Sequence, residues 1–162
     1  MDRQDGAVND LVIAEDDPFA DDVHDLLQTH LAFTRGITPA EFAFALDADG
    51  LADPAVTFFS ARRQGELLGI CALKRHDVEL AELKSMHTRE GVRGQGVGRA
   101  MVQHLLAVAR LEGCKRVSLE TGTTDDFVAA RALYMESGFQ PDEPFGDYRA
   151  SAHNNFMTIR LE

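Results

Sequence analysis

The densest group of chemistry-bearing residues in the chain is Arg93-Gly94-Gln95-Gly96-Val97-Gly98-Arg99. It stands at the head of a segment, Val97 to Glu112, in which Val97, Met101, Leu105 and Val108 recur at helical spacing with Val102 and Leu106 flanking the stripe. A glycine inside a helix costs about 1 kcal/mol relative to alanine, so three in five residues call for a reason. The first turn of a helix exposes unpaired N–H groups and the positive end of the helix dipole. With the side chains removed, a phosphate reaches those groups directly, and Arg93 and Arg99 add full charges beside them. The competing reading is steric: glycines let the start of the helix pack closely on its neighbours. Spacing excludes two common phosphate schemes. A P-loop closes with Gly-Lys-Ser/Thr, whereas this chain has Gly98-Arg99-Ala100, and counting a dinucleotide fingerprint from Gly94 puts Arg99 where the last glycine belongs.

The elements that must position this turn can be read around it. Leu11-Val12-Ile13-Ala14 reads as a buried strand, and Phe19, Val23, Leu26, Leu27, His30 and Leu31 predict a first helix. Thr38-Pro39-Ala40-Glu41 has the cap, first-turn proline and N3 glutamate of a second helix, expected to run to about Asp49-Gly50. Residues 56–61 and 67–73 are strand-like and joined by Gln64-Gly65-Glu66, which predicts a hairpin. A third strand follows over 78–86, with Leu80, Glu82 and Lys84 on one face. After the glycine-led helix come a strand at 116–120, a helix over 127–137 closed by Gly138, and an alternating tail strand at 155–161. The order is β-α-α-β-β-β-α-β-α-β-β, without repeats or low-complexity linkers, and predicts an α/β fold.

Length and composition narrow the function. The 162 residues carry 16 Lys+Arg against 27 Asp+Glu, a formal charge of −11. This suits a single domain over residues 11–162 with a polar, mobile segment at 1–10, and it argues against nucleic-acid binding, which needs a basic footprint. Residues 1–53 hold 13 acids and 2 bases, against 14 of each in 54–162, so the whole excess lies in the N-terminal third. That is either a solvated acidic surface or a rim facing a cationic ligand. No apolar run reaches membrane-spanning length, and residues 1–6 lack the features of a secretory signal. With only Cys71 and Cys114, the expected compartment is the reducing cytoplasm. The six histidines show no metal-ligand spacing, and no metal is expected.

Taken together these residues resemble the GNAT superfamily of N-acetyltransferases. Arg93-x-x-Gly96-x-Gly98 is similar to its cofactor motif, and the likeness extends to Glu82-Leu83-Lys84-Ser85-Met86-His87-Thr88 before it and Ala132-Leu133-Tyr134-Met135-Glu136-Ser137-Gly138-Phe139 after it. The tail, with Glu143-Pro144-Phe145-Gly146-Asp147-Tyr148 and Asn155-Phe156-Met157-Thr158, looks like a subgroup of small bacterial members whose acceptors are mostly unassigned. The resemblance implies a central mixed, mainly antiparallel sheet of about seven strands flanked by four helices, its middle strands splayed. It implies acetyl-coenzyme A as co-substrate, acetyl transfer to a primary amine by direct attack in a ternary complex, and a monomer or homodimer. Residues 93–99 would hold the pyrophosphate (Arg93, Gly94, Gln95, Gly96, Val97, Gly98, Arg99). Met86, His87 and Thr88 would lie along the pantetheine arm, with a main-chain N–H near Met86 polarising the thioester carbonyl. Tyr134 would protonate the departing thiolate; Glu82, on the strand next to the acetyl site, is the first candidate to take the proton of the amine, directly or through water, and Glu120 the second. Phe127 stands where many members have a cofactor-binding Asn, so Arg131 or Thr123 would replace that contact. The acceptor would be a small-molecule or peptide amine, and the acidic first helices would favour a cationic one, with Asp21, Asp22 and Asp25 at its entrance. Two alternatives share the fold: a non-catalytic acyl-coenzyme A sensor, and an acetyltransferase of protein lysines or N-termini.

Overall fold

The structure, a computed structural model, describes residues 10–161. The expected mobile segment 1–10 lies, but for Asp10, outside the described residues. Those residues form seven strands and four α-helices in the anticipated order. The strands are β1 (Leu11–Glu15), β2 (Val56–Arg63), β3 (Glu66–Arg75), β4 (Leu80–Thr88), β5 (Arg116–Gly122), β6 (Gln140–Pro141) and β7 (Asn154–Arg160). The helices are α1 (Asp21–Ile37), α2 (Ala48–Leu51), α3 (Val97–Leu111) and α4 (Val128–Glu136). The sheet order is β1-β2-β3-β4-β5-β7-β6, antiparallel throughout except between β4 and β5.

Strand alternation divides the interior in two. Phe58, Ile70 and Ala72 turn to the face covered by α1, where Val23, Leu26, Leu27 and Leu31 pack on them. Phe59, Cys71 and Leu73, one residue out of phase, meet the buried stripe of α3, including Val97, Met101, Val102 and Leu105. The two helical periodicities seen in the sequence are thus the two covers of one sheet.

The second helix departs from expectation. Residues 38–50 do not form one helix: Ala40–Phe42 is a single 3-10 turn, the chain then runs extended, and α2 is a separate short helix. Asp47, not Thr38, supplies the working cap, its carboxylate accepting from the Gly50 N–H at 2.9 Å. In one continuous helix Phe42 and Phe44 would point to opposite sides; with Phe42 closing the 3-10 turn and Phe44 beyond it, both line the central cleft.

Two features of β4 shape that cleft. β4 pairs with β5 only at Leu80–Arg116, Ala81–Val117 and Glu82–Ser118, after which the strands splay. Opposite Cys71, β4 also carries an extra residue, since Ile70 faces His87 while Ala72 faces Lys84. Ser85 occupies this bulge with a left-handed φ of 57°. The bulge resets the alternation, so that Glu82, Lys84 and His87 all look toward the α1 face, while Met86 packs on the α3 core.

Candidate active site

The gap between the splayed strands opens into a cleft of about 660 Å³. One end is built by the glycine turn. Gly94 and Gly96 hold φ of +81° and +84°, and a Cβ on either would meet nothing within 4 Å. Left-handed backbone, not tight packing, is what requires glycine there. Gly98 is different: its Cβ would stand 3.0 Å from Leu133 Cδ2 of α4, so the steric reading holds at that position. The first helical bond of α3 runs from the Ala100 N–H to the Gly96 carbonyl at 3.0 Å, which leaves the amides of Val97, Gly98 and Arg99 without helix partners. Arg93, Gly94, Gly96, Val97, Gly98 and Arg99 line this end together with Met86, His87 and Thr88. Arg93 Nε donates to the Thr88 carbonyl at 3.4 Å, and exposed Arg99 reaches Glu136 at 3.3 Å. Gln95 turns away, its Oε1 accepting from Arg63 at 3.3 Å.

The other end holds a buried polar cluster. Glu82, only 2% exposed, accepts from His76 Nε2 at 2.8 Å, from Lys84 Nζ at 3.2 Å and from the Tyr148 hydroxyl at 2.6 Å. Lys84 also donates to the Tyr148 oxygen at 2.9 Å. Burial alone would raise the Glu82 pKa, but the His76 hydrogen bond, the Lys84 charge and the Tyr148 hydroxyl outweigh it and hold the carboxyl below its usual range. Glu120, across the gap on β5, goes the other way. Burial raises its pKa, and the neighbouring Glu82 charge adds to the rise, against the Asn154 amide and the Lys84 charge. Asn154 also bonds the Phe42 carbonyl at 3.3 Å, tying the loop after α1 to this carboxylate.

Tyr134 lines the cleft from α4 and packs edge-on against Phe139. Burial, with the Glu120 charge adding to it, pushes its phenol well above the ordinary value, so it stays protonated. Phe127 also lines the cleft and fills the space that a side chain at Gly122 would need. Arg131 does not reach in; its guanidinium caps the Gly122 and Thr124 carbonyls at 2.9 and 3.0 Å, and Thr123 bonds the Ala152 carbonyl. His87 meets His30 of α1 with their Nδ1 atoms 3.1 Å apart, both rings nearly enclosed.

The structure therefore brings together Glu82, Glu120, Tyr134, Phe127, Met86 to Thr88 and every residue of 93–99 except Gln95, and leaves Gln95, Thr123 and Arg131 outside the lining. The N-terminal third lends the cleft apolar and neutral polar residues, Phe33, Thr34, Phe42 and Phe44 among them, but none of its acids. Asp22 and Asp16 pair with Arg62 at 2.6 and 3.0 Å, and none of Asp21, Asp22 and Asp25 lines the cleft. Sequence reasoning assigned no site role to Tyr148, His76 or His30, and read Lys84 as a neighbour of Glu82 on one strand face and as part of the positive charge over residues 84–99. Tyr148 stands in the tail motif and His30 in the apolar stripe of α1, which marks it as inward-facing; His76 carries no local pattern. Among the described residues no helix is long and apolar enough to cross a membrane.

Comparison with known proteins agrees with this construction. The family model of the acetyltransferase (GNAT) family matches residues 21–139. The uncharacterized N-acetyltransferase YedL of Escherichia coli is 40% identical over 86% of this chain and 87% of its own. The uncharacterized N-acetyltransferase YsnE of Bacillus subtilis is 39% identical over 90% of this chain and 97% of its own. In fold, a GNAT family acetyltransferase from Elizabethkingia anophelis, solved with acetyl-CoA bound, superposes with a TM-score of 0.70 at 17% identity, covering 94% of this chain and 99% of that one. The chain belongs to the GNAT family and is an acetyltransferase.

Proposed function

We propose that this acetyltransferase moves the acetyl group of acetyl-coenzyme A to the nitrogen of a primary amine, with both substrates bound at once. The observation that carries the reading is a single cleft lined at one end by a bare, cationic helix start and at the other by buried carboxylates and a phenol. The residues fit the co-substrate. The unpartnered amides of Val97, Gly98 and Arg99, with the Arg93 and Arg99 charges, suit a pyrophosphate. The β4 edge beyond Glu82, freed of its β5 partner, offers main-chain groups to the amides of the pantetheine arm. Acetyl-coenzyme A supplies an acyl group already activated as a thioester.

The chain's own residues then manage protons and charge. The amine nitrogen forms a bond to the acetyl carbon while the carbon–sulfur bond breaks, and one proton leaves the nitrogen as the thiolate gains another. Glu120 is the better candidate to take the first, because its raised pKa makes it a stronger base than an ordinary carboxylate. Glu82 has its lone pairs engaged by three donors and serves as a fixed negative charge. Tyr134, kept protonated, gives the second proton to sulfur. A main-chain N–H beside the Ser85–Met86 bulge would steady negative charge on the carbonyl oxygen.

The experiment is initial-rate thiol release from acetyl-coenzyme A with a panel of amines, varying both substrates. Intersecting lines and loss of about a hundredfold in kcat/KM for Glu120→Gln are expected. Parallel lines, or thiol release indifferent to every amine, would defeat the proposal.

A further inference from the structure

The sequence pointed to a cationic acceptor because the acids cluster in the N-terminal third, but the structure leaves those acids off the cleft and puts a lysine in it. Lys84 is 9% exposed, and among the described residues two of its three ammonium protons have partners, Glu82 and the Tyr148 oxygen. A buried ammonium with an unmet donor is costly unless something completes it. The adjoining Ser85 hydroxyl, buried and likewise without a hydrogen-bond partner among the described residues, lies on the same stretch of lining. Across the gap stands Glu120, whose carboxyl feels the Lys84 charge. Four aromatic rings also line the cleft. Phe42 closes the 3-10 turn and Phe44 follows it on the extended stretch, edge-on to Tyr148 with centroids 5.1 Å apart, and Phe33 of α1 stands edge-on to Phe127 at 5.5 Å.

A positive group, a negative group and an aromatic wall in one compartment describe their ligand by complementarity. Resting on the acetyl-transfer reading above, we infer that the acceptor is a small amine that also carries a carboxylate and an apolar side chain, in the simplest case an apolar α-amino acid. Its carboxylate takes the free Lys84 donor, its amine faces Glu120, and its side chain lies against Phe42 and Phe44. A polyamine or aminoglycoside would set a surplus cation against Lys84 and leave that donor unmet. A lysine side chain of a protein brings an amine and an aliphatic stem but no carboxylate.

The test compares acceptors that differ only in the carboxylate: phenylalanine, its amide and phenethylamine, with leucine and isopentylamine as a second series and spermidine and a lysine peptide as controls. The amino acids should exceed their amides and decarboxylated amines by about tenfold or more in kcat/KM, chiefly through the acceptor KM. In Lys84→Gln that advantage should shrink to about twofold or less while the KM for acetyl-coenzyme A holds. Should that variant fail to fold, the wild-type series decides alone. Equal or better turnover of the amines, or a preference that survives Lys84→Gln, overturns the inference while leaving acetyl transfer intact. Absence of thiol release with every acceptor instead overturns the reading beneath it.

Discussion

Acid should loosen this protein through two histidines that touch each other. His30 on α1 and His87 on β4 stand with their Nδ1 atoms 3.1 Å apart, so one ring must donate from Nδ1 and the other accept at a bare Nδ1. Burial disfavours the charged form of both; the His87 and Lys84 charges add to this at His30, and Arg93 does so at His87. Their pKa values fall to about 3 and about 4, against 6.5 for an ordinary histidine. In the unfolded chain both rings take up protons near 6.5, whereas in the folded chain neither does until far lower pH. The stabilisation is therefore complete above about pH 6.5 and is lost as pH falls toward 4. At about pH 5, some 1.5 units below the unfolded value, each ring costs about 2 kcal/mol and the pair about 4 kcal/mol. That is a large part of the 5–15 kcal/mol that typically separates folded from unfolded. Urea unfolding at about pH 8 and about pH 5, with the m-value checked for constancy, reads the effect directly. His30→Gln should lose about half as much stability over this interval as wild type through the paired rings. Equal losses would show that the rings titrate freely in the folded protein and would refute the burial argument.

Three further outcomes follow from particular contacts. Tyr134→Phe should lower kcat by about tenfold or more with the KM for acetyl-coenzyme A unchanged, and unchanged turnover removes the phenol from proton transfer. Gly122→Ala places a Cβ 2.1 Å from Phe127 Cε2 and should cost about 1–3 kcal/mol in chemical unfolding, a penalty that shrinks in a Phe127→Leu background. Neutralising Asp21, Asp22 and Asp25 together should leave the acceptor KM alone, since none lines the cleft, and should shift stability by about 1 kcal/mol or less through the half-exposed Asp22–Arg62 pair. A rise in acceptor KM in that triple variant would restore the acidic rim that the sequence suggested.

What could be read in the sequence was whatever depends on neighbours along the chain. Helical stripes and strand alternation located the elements, and the glycine run located the anion end, because these are local signals of fixed period. The 38–50 segment misled because a cap, a proline and a glutamate in order are consistent with a helix start, while Asn154, 112 residues away, holds the Phe42 carbonyl in another geometry. The polar cluster was half visible. Glu82 and Lys84 share a face by strand parity, but His76 and Tyr148 join them only through the β3–β4 turn and the segment before β7. The His30–His87 pair needed the bulge at Ser85, a one-residue insertion no periodicity announces. Charge was the least transferable clue: composition places acids in a third of the chain, and only folding says what they face.

The brief pairing of β4 with β5 has a mechanical consequence. Leaving aside the two edge strands β1 and β6, the other joints of the sheet are laced by six to eight residue pairs, and this one by three. The sheet therefore consists of two stiff leaves stitched at one end of a shared seam, with β1 to β4 on one side and β5, β7 and β6 on the other. Stress that would have to unzip a whole ladder elsewhere meets only a short hinge here. The width of the opening is thus set by what bridges the leaves on either face: α3 below, and above it the Lys84–Glu82–Tyr148 cluster, which clasps β4 to the segment leading into β7.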